Sequence, residues 1–263
     1  MSAPADPQQI PRLSGIVPVY NERENLGPLI EELLREFHRL EQSFEIVLVN
    51  DGSTDGSAEV LDAAASRYPE IRVIHLERNA GQAAALSAGF EAARGEYAVT
   101  LDGDLQNDPA DIIRLLEWIP QYDMVVGIRI QRHDTWVRRA SSRIANQVRS
   151  AVLKDGILDT GCSLKVFRRE FARGFPRFKG LHRFLPALAM IQGAGVKQVP
   201  VRHRPRRAGR TKYNVSNRLG RGIGDLFGVL WLQRRWAPYR VSYEAPKPSE
   251  FPQREERIEE EHR

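Results

Sequence analysis

The stretch Tyr97-Ala98-Val99-Thr100-Leu101-Asp102-Gly103-Asp104-Leu105-Gln106 decides the fold. A short apolar run leads directly into two carboxylates separated by one glycine. A run of that length, ended by a turn signal, reads as a strand buried on both faces. Asp102 and Asp104 then stand just past the strand end. A bend there turns both toward one cation, and Gly103 is expected to permit it. Hard oxygen ligands suit Mg²⁺ or Mn²⁺, and Gln106 adds a neutral oxygen two residues on. An isolated Asp-x-Asp is weak; this one gains from its position and its neighbours.

Upstream, strand and helix patterns alternate. Strands are expected over Gly15–Val19, Phe44–Val49 and Ile71–Leu76, with a further one over Met124–Gly127. Helices are expected over Asn25–Leu40, Ser57–Tyr68, Gly81–Arg94 and Pro109–Trp118, the first from its apolar spacing and the last from proline at its start. Such alternation predicts an α/β fold: a mostly parallel central sheet with helices on both faces. Ligands on such sheets bind beyond the carboxyl ends of the strands. Pro18-Val19-Tyr20-Asn21-Glu22 and Asn50-Asp51-Gly52-Ser53-Thr54-Asp55 each follow a strand, so three strand ends converge on one cleft. The second motif also reads as a turn capping the next helix, since Asp, Ser and Thr all cap well. In the functional alternative, Asp51 accepts hydrogen bonds from a nucleobase or ribose.

Beyond Gly127 the pattern loosens. Trp136–Leu153 is helical and very basic, Thr160–Phe167 strand or extended, His182–Gln192 a helix, and Val196–Val201 a strand. A basic loop follows over Arg202–Tyr213, and then a glycine-interrupted apolar helix over Asn217–Trp236. The expected organisation is a flexible N-terminus (1–11), a catalytic domain (12–213), an amphipathic helix (214–240) and a disordered charged tail (241–263). With 263 residues the chain suits one large domain with an appendage.

Charge is strongly segregated. Residues 1–127 hold 9 Lys/Arg against 22 Asp/Glu, whereas 128–240 hold 26 against 5. The basic half is mostly arginine, the better bidentate phosphate ligand, and it calls for an anionic partner. A merely solvated basic face is the plainer alternative. Nucleic acid is not expected, because no helix-turn-helix, zinc-finger or RNP signature is visible. The pattern also lacks a Gly-x-Gly-x-x-Gly turn, a phosphate loop and a Gly-x-Ser-x-Gly elbow. Cys162 stands alone, which excludes an intramolecular disulfide and fits a reducing compartment. Cys162 and His182 are expected to be structural, and His203 to belong to the basic loop. The polar N-terminus shows no secretory signal.

Taken together and in order, Pro18–Glu22, Asn50–Asp55, Asn79-Ala80-Gly81-Gln82 and Asp102-Gly103-Asp104-Leu105-Gln106-Asn107-Asp108-Pro109 resemble glycosyltransferase family 2. Within it they resemble the polyprenyl-phosphate sugar transferases of the dolichyl-phosphate mannose synthase type. The likeness runs on through Arg129, Trp136–Arg139, Ser142-Arg143, His182–Pro186 and Arg206–Tyr213. It implies a Rossmann-like nucleotide-diphospho-sugar transferase fold of the GT-A type. It also implies that Pro18, Tyr20, Glu22, Asp51 and Gly81 hold the nucleotide sugar with Asp102. Asp102, Asp104 and Gln106 would hold the metal and the donor diphosphate. Arg129, Arg138, Ser142 and Arg206, with Lys212, would hold phosphate groups. Two departures stand out: Thr211-Lys212 replaces the Ser-Lys of many relatives, and no transmembrane helix follows.

The implied reaction is metal-dependent, inverting sugar transfer from a nucleotide sugar to a polyprenyl phosphate. A growing glycan or other hydroxyl acceptor is the alternative, and it would need a general base. The expected setting is cytoplasmic, peripheral at the inner face of a membrane. The apolar stretch Leu226–Leu232 is too short to span a bilayer, and its flanking arginines and tryptophans suit a surface helix or, equally, a core helix. A homo-oligomer is compatible with all of this.

Overall fold

The computed structural model describes residues 11–129, 146–205 and 216–238. Seven strands and their helices follow in chain order. The first half runs β1 (Leu13–Val19), α1 (Arg23–His38), β2 (Phe44–Asn50), α2 (Ser57–Arg67), β3 (Ile71–His75), α3 (Gln82–Ala92), β4 (Tyr97–Thr100), α4 (Asp111–Leu116) and β5 (Met124–Arg129). A helical stretch over 146–153 precedes β6 (Lys165–Arg168), α5 (Arg169–Arg173), α6 (Leu185–Ile191), β7 (Val196–Val201) and α7 (Ser216–Arg235). One expectation is corrected here. His182–Gln192 is not one helix but a 3-10 turn at Leu181–Arg183 followed by α6, with Pro186 in the first turn of α6. Of Thr160–Phe167, only the end enters the sheet.

The sheet order is β3-β2-β1-β4-β6-β5-β7. β1 pairs in parallel with β2 on one side and β4 on the other, and β5 pairs in parallel with β7. β6 runs antiparallel between β4 and β5, so the sheet is mostly parallel but mixed. Strand direction then fixes where everything emerges. The carboxyl ends of β1, β2, β4, β5 and β7 lie along one sheet edge, and the chain enters β6 at that same edge.

The strand sequences are apolar because both faces are covered. On one face α1, α2 and α4 pack Leu26, Leu29, Leu33, Leu61 and Leu115 against Val17, Ile46 and Leu48. On the other, α3, α6 and α7 pack Leu86, Phe90, Leu188 and Val229 against Ile16, Ala98 and Phe167. Burying a side chain of this size contributes about 1.5–3 kcal/mol. At the opposite sheet edge, buried Glu45 accepts from Ser14 Oγ at 2.7 Å and pairs with Arg72 at 2.6 Å. That satisfied cluster is a tie between strands.

The entry to α1 and α2 is capped jointly. Asp55 accepts from the backbone N–H groups of Arg23 (3.1 Å) and Ser57 (3.0 Å) and from Ser57 Oγ (2.5 Å). Burial alone would raise its carboxyl, but these donors outweigh burial and hold it below its usual value. The stabilisation is therefore complete above the unfolded value of 3.8 and is lost as pH falls through the depressed folded value. Replacing Asp55 by Ala is expected to cost about 1 kcal/mol in urea unfolding at pH 7, and less as the pH falls below the carboxylate range.

Candidate functional site

The motifs Pro18–Glu22, Asn50–Asp55, Asn79–Gln82 and Asp102–Pro109 follow strands that run in parallel, so they sit on the carboxyl edge of the sheet. Val19 is in register with Asn50, and Ile16 with Thr100, so the segments after β1, β2 and β4 leave side by side. Asn21 ties the first two: its backbone N–H donates to Ser53 Oγ at 3.0 Å, and its Oδ1 accepts from Thr54 N at 2.7 Å. Pro18, Tyr20 and Glu22 are half-buried along this rim.

Asp51 is buried, and its carboxylate organises the neighbouring loop. It accepts from Asn79 Nδ2 at 3.0 Å, Ala80 N at 2.7 Å and Gly81 N at 2.9 Å. Burial is the larger influence and raises its carboxyl despite those backbone donors. A carboxylate has about four acceptor positions, and three donors from the chain leave little for a nucleoside. Asp51 thus shapes the 79–81 loop, a part that sequence spacing does not show. Asp55, by contrast, is the capping residue of that motif, as the turn-and-cap reading of Asn50–Asp55 has it. Gly52 has φ +65°, and a Cβ there would lie 2.5 Å from Asn79 N. The two loops therefore touch backbone to backbone.

Asp102 and Asp104 follow β4. The bend belongs to Leu105, whose φ is +60°, and not to Gly103, which lies outside the left-handed region. Gly103 serves close approach instead: a Cβ would stand 3.3 Å from the Pro18 carbonyl oxygen. Asp104 is 7% exposed and accepts from Gln106 N at 3.2 Å. Asp102 accepts from Gln82 Nε2 at 2.7 Å and is hydrogen-bonded by Ser163. Loss of water, and then the charge of Asp104, push its carboxyl up to about 6; Ser163, Lys165 and Arg129 pull the other way.

The opposing side comes from 159–165, a segment to which sequence reasoning assigned no part in the site. Ser163 Oγ accepts from Asn107 Nδ2 at 2.6 Å. Lys165 is 2% exposed, donates to the Cys162 carbonyl, and faces Asp102 and Asp159. Burial lowers its ammonium from the ordinary lysine value. A lysine within the apolar run Leu164–Phe167 was the available signal, because a buried strand tolerates a charge only where a partner waits. Cys162 is buried, and burial pushes its thiol up, away from thiolate chemistry.

Arg129, at the end of β5, joins the same group, but its guanidinium is engaged by Asp159 at 2.7 and 2.8 Å. After β7 the chain is zipped onto the acidic loop. Arg204 N donates to the Gln106 carbonyl at 2.8 Å, and Asn107 bridges His203. The Arg204 guanidinium binds Glu32 at 2.6 Å and Asp108 at 2.8 Å. The root of the basic loop therefore lies beside Gln106. Arg138, Ser142, Arg206 and Lys212 themselves fall outside the described residues.

The Asp102–Asp104 pair fits a divalent ion. The charge of Asp104 helps to raise the Asp102 carboxyl, and a cation would relieve that repulsion. Among the described residues no group of three His, Cys, Asp or Glu is placed to hold a metal. A cavity of ≈ 160 Å³ lies elsewhere, lined by Leu153, Met190, Ile191 and Val229, and shares no residue with this edge.

Comparison with known proteins now decides the family. The model of glycosyl transferase family 2 matches residues 14–175. The chain belongs to glycosyl transferase family 2. It is 38% identical over 214 residues to the undecaprenyl-phosphate 4-deoxy-4-formamido-L-arabinose transferase of Edwardsiella ictaluri (strain 93-146), covering 80% of this chain and 66% of that one. It is 35% identical over 235 residues to the dodecaprenyl-phosphate galacturonate synthase of Rhizobium johnstonii, covering 87% and 69%. The chain thus spans about two thirds of the length of these relatives. Among solved structures, the glucosyl-3-phosphoglycerate synthase of Mycobacterium tuberculosis with Mn²⁺, uridine diphosphate and glucosyl-3-phosphoglycerate superimposes with a TM-score of 0.62. It is 16% identical and covers 88% of this chain and 86% of that one, which shows a shared GT-A fold.

Asp102 carries a charge that folding disfavours, since its carboxyl lies near 6 in the fold against an ordinary 3.8. A raised carboxylate gives stability that is present at low pH and lost as pH rises through 6. Asp102→Asn is therefore expected to raise the metal-free melting midpoint at pH 7.5, with no gain at pH 4. Thermal unfolding at the two pH values checks it.

Proposed function

We propose that this protein transfers a sugar from a nucleotide-diphosphate sugar to a polyprenyl phosphate, with inversion and with the help of a divalent metal. One observation carries the reading. The acidic pair after β4 lies on the same sheet edge as Arg129 and the root of the basic loop. Relatives named as polyprenyl-phosphate sugar transferases support the acceptor class, and a neighbour bound to Mn²⁺ and uridine diphosphate supports the donor and the metal.

In this reading Pro18, Tyr20, Glu22, Asp51 and Gly81 form the nucleoside rim. Asp51 acts there chiefly by holding the 79–81 loop in place. Asp102 and Asp104, with Gln106, would hold Mg²⁺ or Mn²⁺, which when bound acts as a Lewis acid toward the leaving diphosphate. An acceptor phosphate oxygen forms the new bond to the anomeric carbon as the bond to the donor's β-phosphate oxygen breaks. The nucleoside diphosphate departs with that electron pair. A phosphate monoester has a second pKa of about 6, so its oxygen is already anionic at neutral pH and needs no strong base. The protein's task is to hold two anions together. Arg129, Arg138 and Ser142 are assigned to the acceptor phosphate, and Arg206 and Lys212 to the donor diphosphate. Asp159 fixes the Arg129 guanidinium, which orients it and tempers its charge. A single buried cysteine agrees with a reducing, cytoplasmic setting.

Purified protein incubated with a panel of nucleotide sugars, Mn²⁺ and a polyprenyl phosphate is expected to yield a sugar-phospho-lipid by mass spectrometry. An oligosaccharide acceptor is expected to stay unmodified; the reverse outcome would sink the acceptor assignment. Asp104→Asn is expected to lower turnover by about 10²-fold or more, the scale of losing one charge-stabilising group. Mn²⁺ activation should weaken below pH 6, where Asp102 takes up a proton that competes with the metal.

A further inference from the structure

The last residues of β2 and β3 stand side by side, with Asn50 in register with His75. Asn50 is 4% exposed, and its amide is held from two sides. Its Oδ1 accepts from Ser53 N at 3.0 Å, and its Nδ2 lies 3.0 Å from His75 Nδ1. His75 Nε2 lies 2.9 Å from Asp62 Oδ1 on α2. One arrangement of protons satisfies this chain. A backbone N–H only donates, so the atom of Asn50 that faces Ser53 is the oxygen. The amide nitrogen then faces His75 and also only donates, so Nδ1 is the acceptor. The ring proton therefore sits on Nε2 and is donated to Asp62. The Asp62 carboxylate selects the tautomer, and the tautomer selects the orientation of the buried amide.

That amide governs the turn after β2. Tethered to Asn50 by its N–H, Ser53 accepts from Asn21 N at 3.0 Å through its hydroxyl, and Asn21 Oδ1 accepts from Thr54 N at 2.7 Å. Asn21 has φ 50°, a left-handed backbone that these bonds help to hold. His75 lies on β3, at the end of the strand order, and its side chain is 39% exposed. It adds little to the core, so its bonds serve the turn. We propose that His75 is a positioning residue of the nucleotide-sugar site. By accepting from Asn50 it locks the turn at Asn50–Ser53 and, through Ser53, the segment that carries Tyr20 and Glu22. It acts through Asn50 and not on the donor itself. Without the acceptor, the buried amide keeps an unpaired N–H or swings away from Ser53, and the rim loosens either way. The inference rests on the reading that this rim takes the nucleoside.

The test is calorimetric titration of the full chain with uridine diphosphate and, separately, guanosine diphosphate, each with Mn²⁺. Donor KM and kcat on a polyprenyl phosphate are measured alongside. His75→Phe keeps a ring without the acceptor nitrogen, and His75→Leu removes ring and acceptor together. Each is expected to weaken binding and raise KM by about tenfold, the scale of one buried donor left unpaired, with kcat within about twofold. His75→Asn, whose Oδ1 can stand in for Nδ1, is expected to bind within about threefold of wild type. In an Asn50→Ala background no amide remains to be oriented, and His75→Phe is expected to change binding by less than about twofold. A folded His75→Phe or His75→Leu that binds as tightly as wild type overturns the inference. So does an equal loss in His75→Asn, a full further loss in the Asn50→Ala background, or a fall in kcat at unchanged KM. A wild-type chain that binds neither nucleotide overturns the inference and the nucleoside reading together, whereas wild-type binding indifferent to His75 removes the inference alone.

Discussion

The parallel pairing of β1 with β2 and β4 is the constraint on which the site depends. Hydrogen bonds on both sides of β1 fix the register Val19–Asn50 and Ile16–Thr100. Because parallel strands share a direction, each strand delivers its following loop to the same edge. The rim at Pro18–Glu22, the turn at Asn50–Asp55 and the carboxylates at Asp102 and Asp104 are neighbours for that reason. β5 and β7 extend the logic to Arg129 and to Arg202–Pro205. The antiparallel β6 completes it by bringing its preceding segment, with Ser163 and Lys165, to the same edge from the other direction.

The electrostatics of that edge are arranged in opposed layers. Asp102 and Asp104 repel each other, and the buried Lys165, Arg129 and the Ser163 hydroxyl offset part of that repulsion. Arg129 is itself held by Asp159, and Arg204 by Glu32 and Asp108. The cations nearest the acidic loop are thus paired and fixed in place. Under the proposed reading, this suits a site that receives an anionic donor and an anionic acceptor without reorganising its own charges. Electrostatic stabilisation is strongest when the groups are already in position.

The loop at 79–81 shows how backbone geometry and charge are combined. Gly81 has φ 94° and ψ 158°, a region open essentially to glycine. That conformation aims its N–H, with that of Ala80, at the Asp51 carboxylate. The start of α3 is thereby fastened to the end of β2, and Gln82 on the same helix reaches Asp102. The end of β2 and the acidic pair are linked through one helix N-terminus.

The sequence by itself determined the α/β class, most strand positions, the lone cysteine, the charge asymmetry and the acidic pair at a strand end. These are legible because buried strands are continuous apolar runs and because Asp, Asn and Gly at their ends are local signals. Tertiary structure alone decided the remainder. The antiparallel insertion of β6 is invisible locally, because strand direction depends on partners far along the chain. Leu105, not Gly103, makes the bend, since the left-handed backbone is set by the contacts of Asp104 and Gln106 around it. Asp51 turned inward to the 79–81 loop because three donors, 28–30 residues away, meet it there. Lys165 and Ser163 joined the site because β6 lies against β4, and α7 kept an apolar stripe outward because its other face alone fills the core.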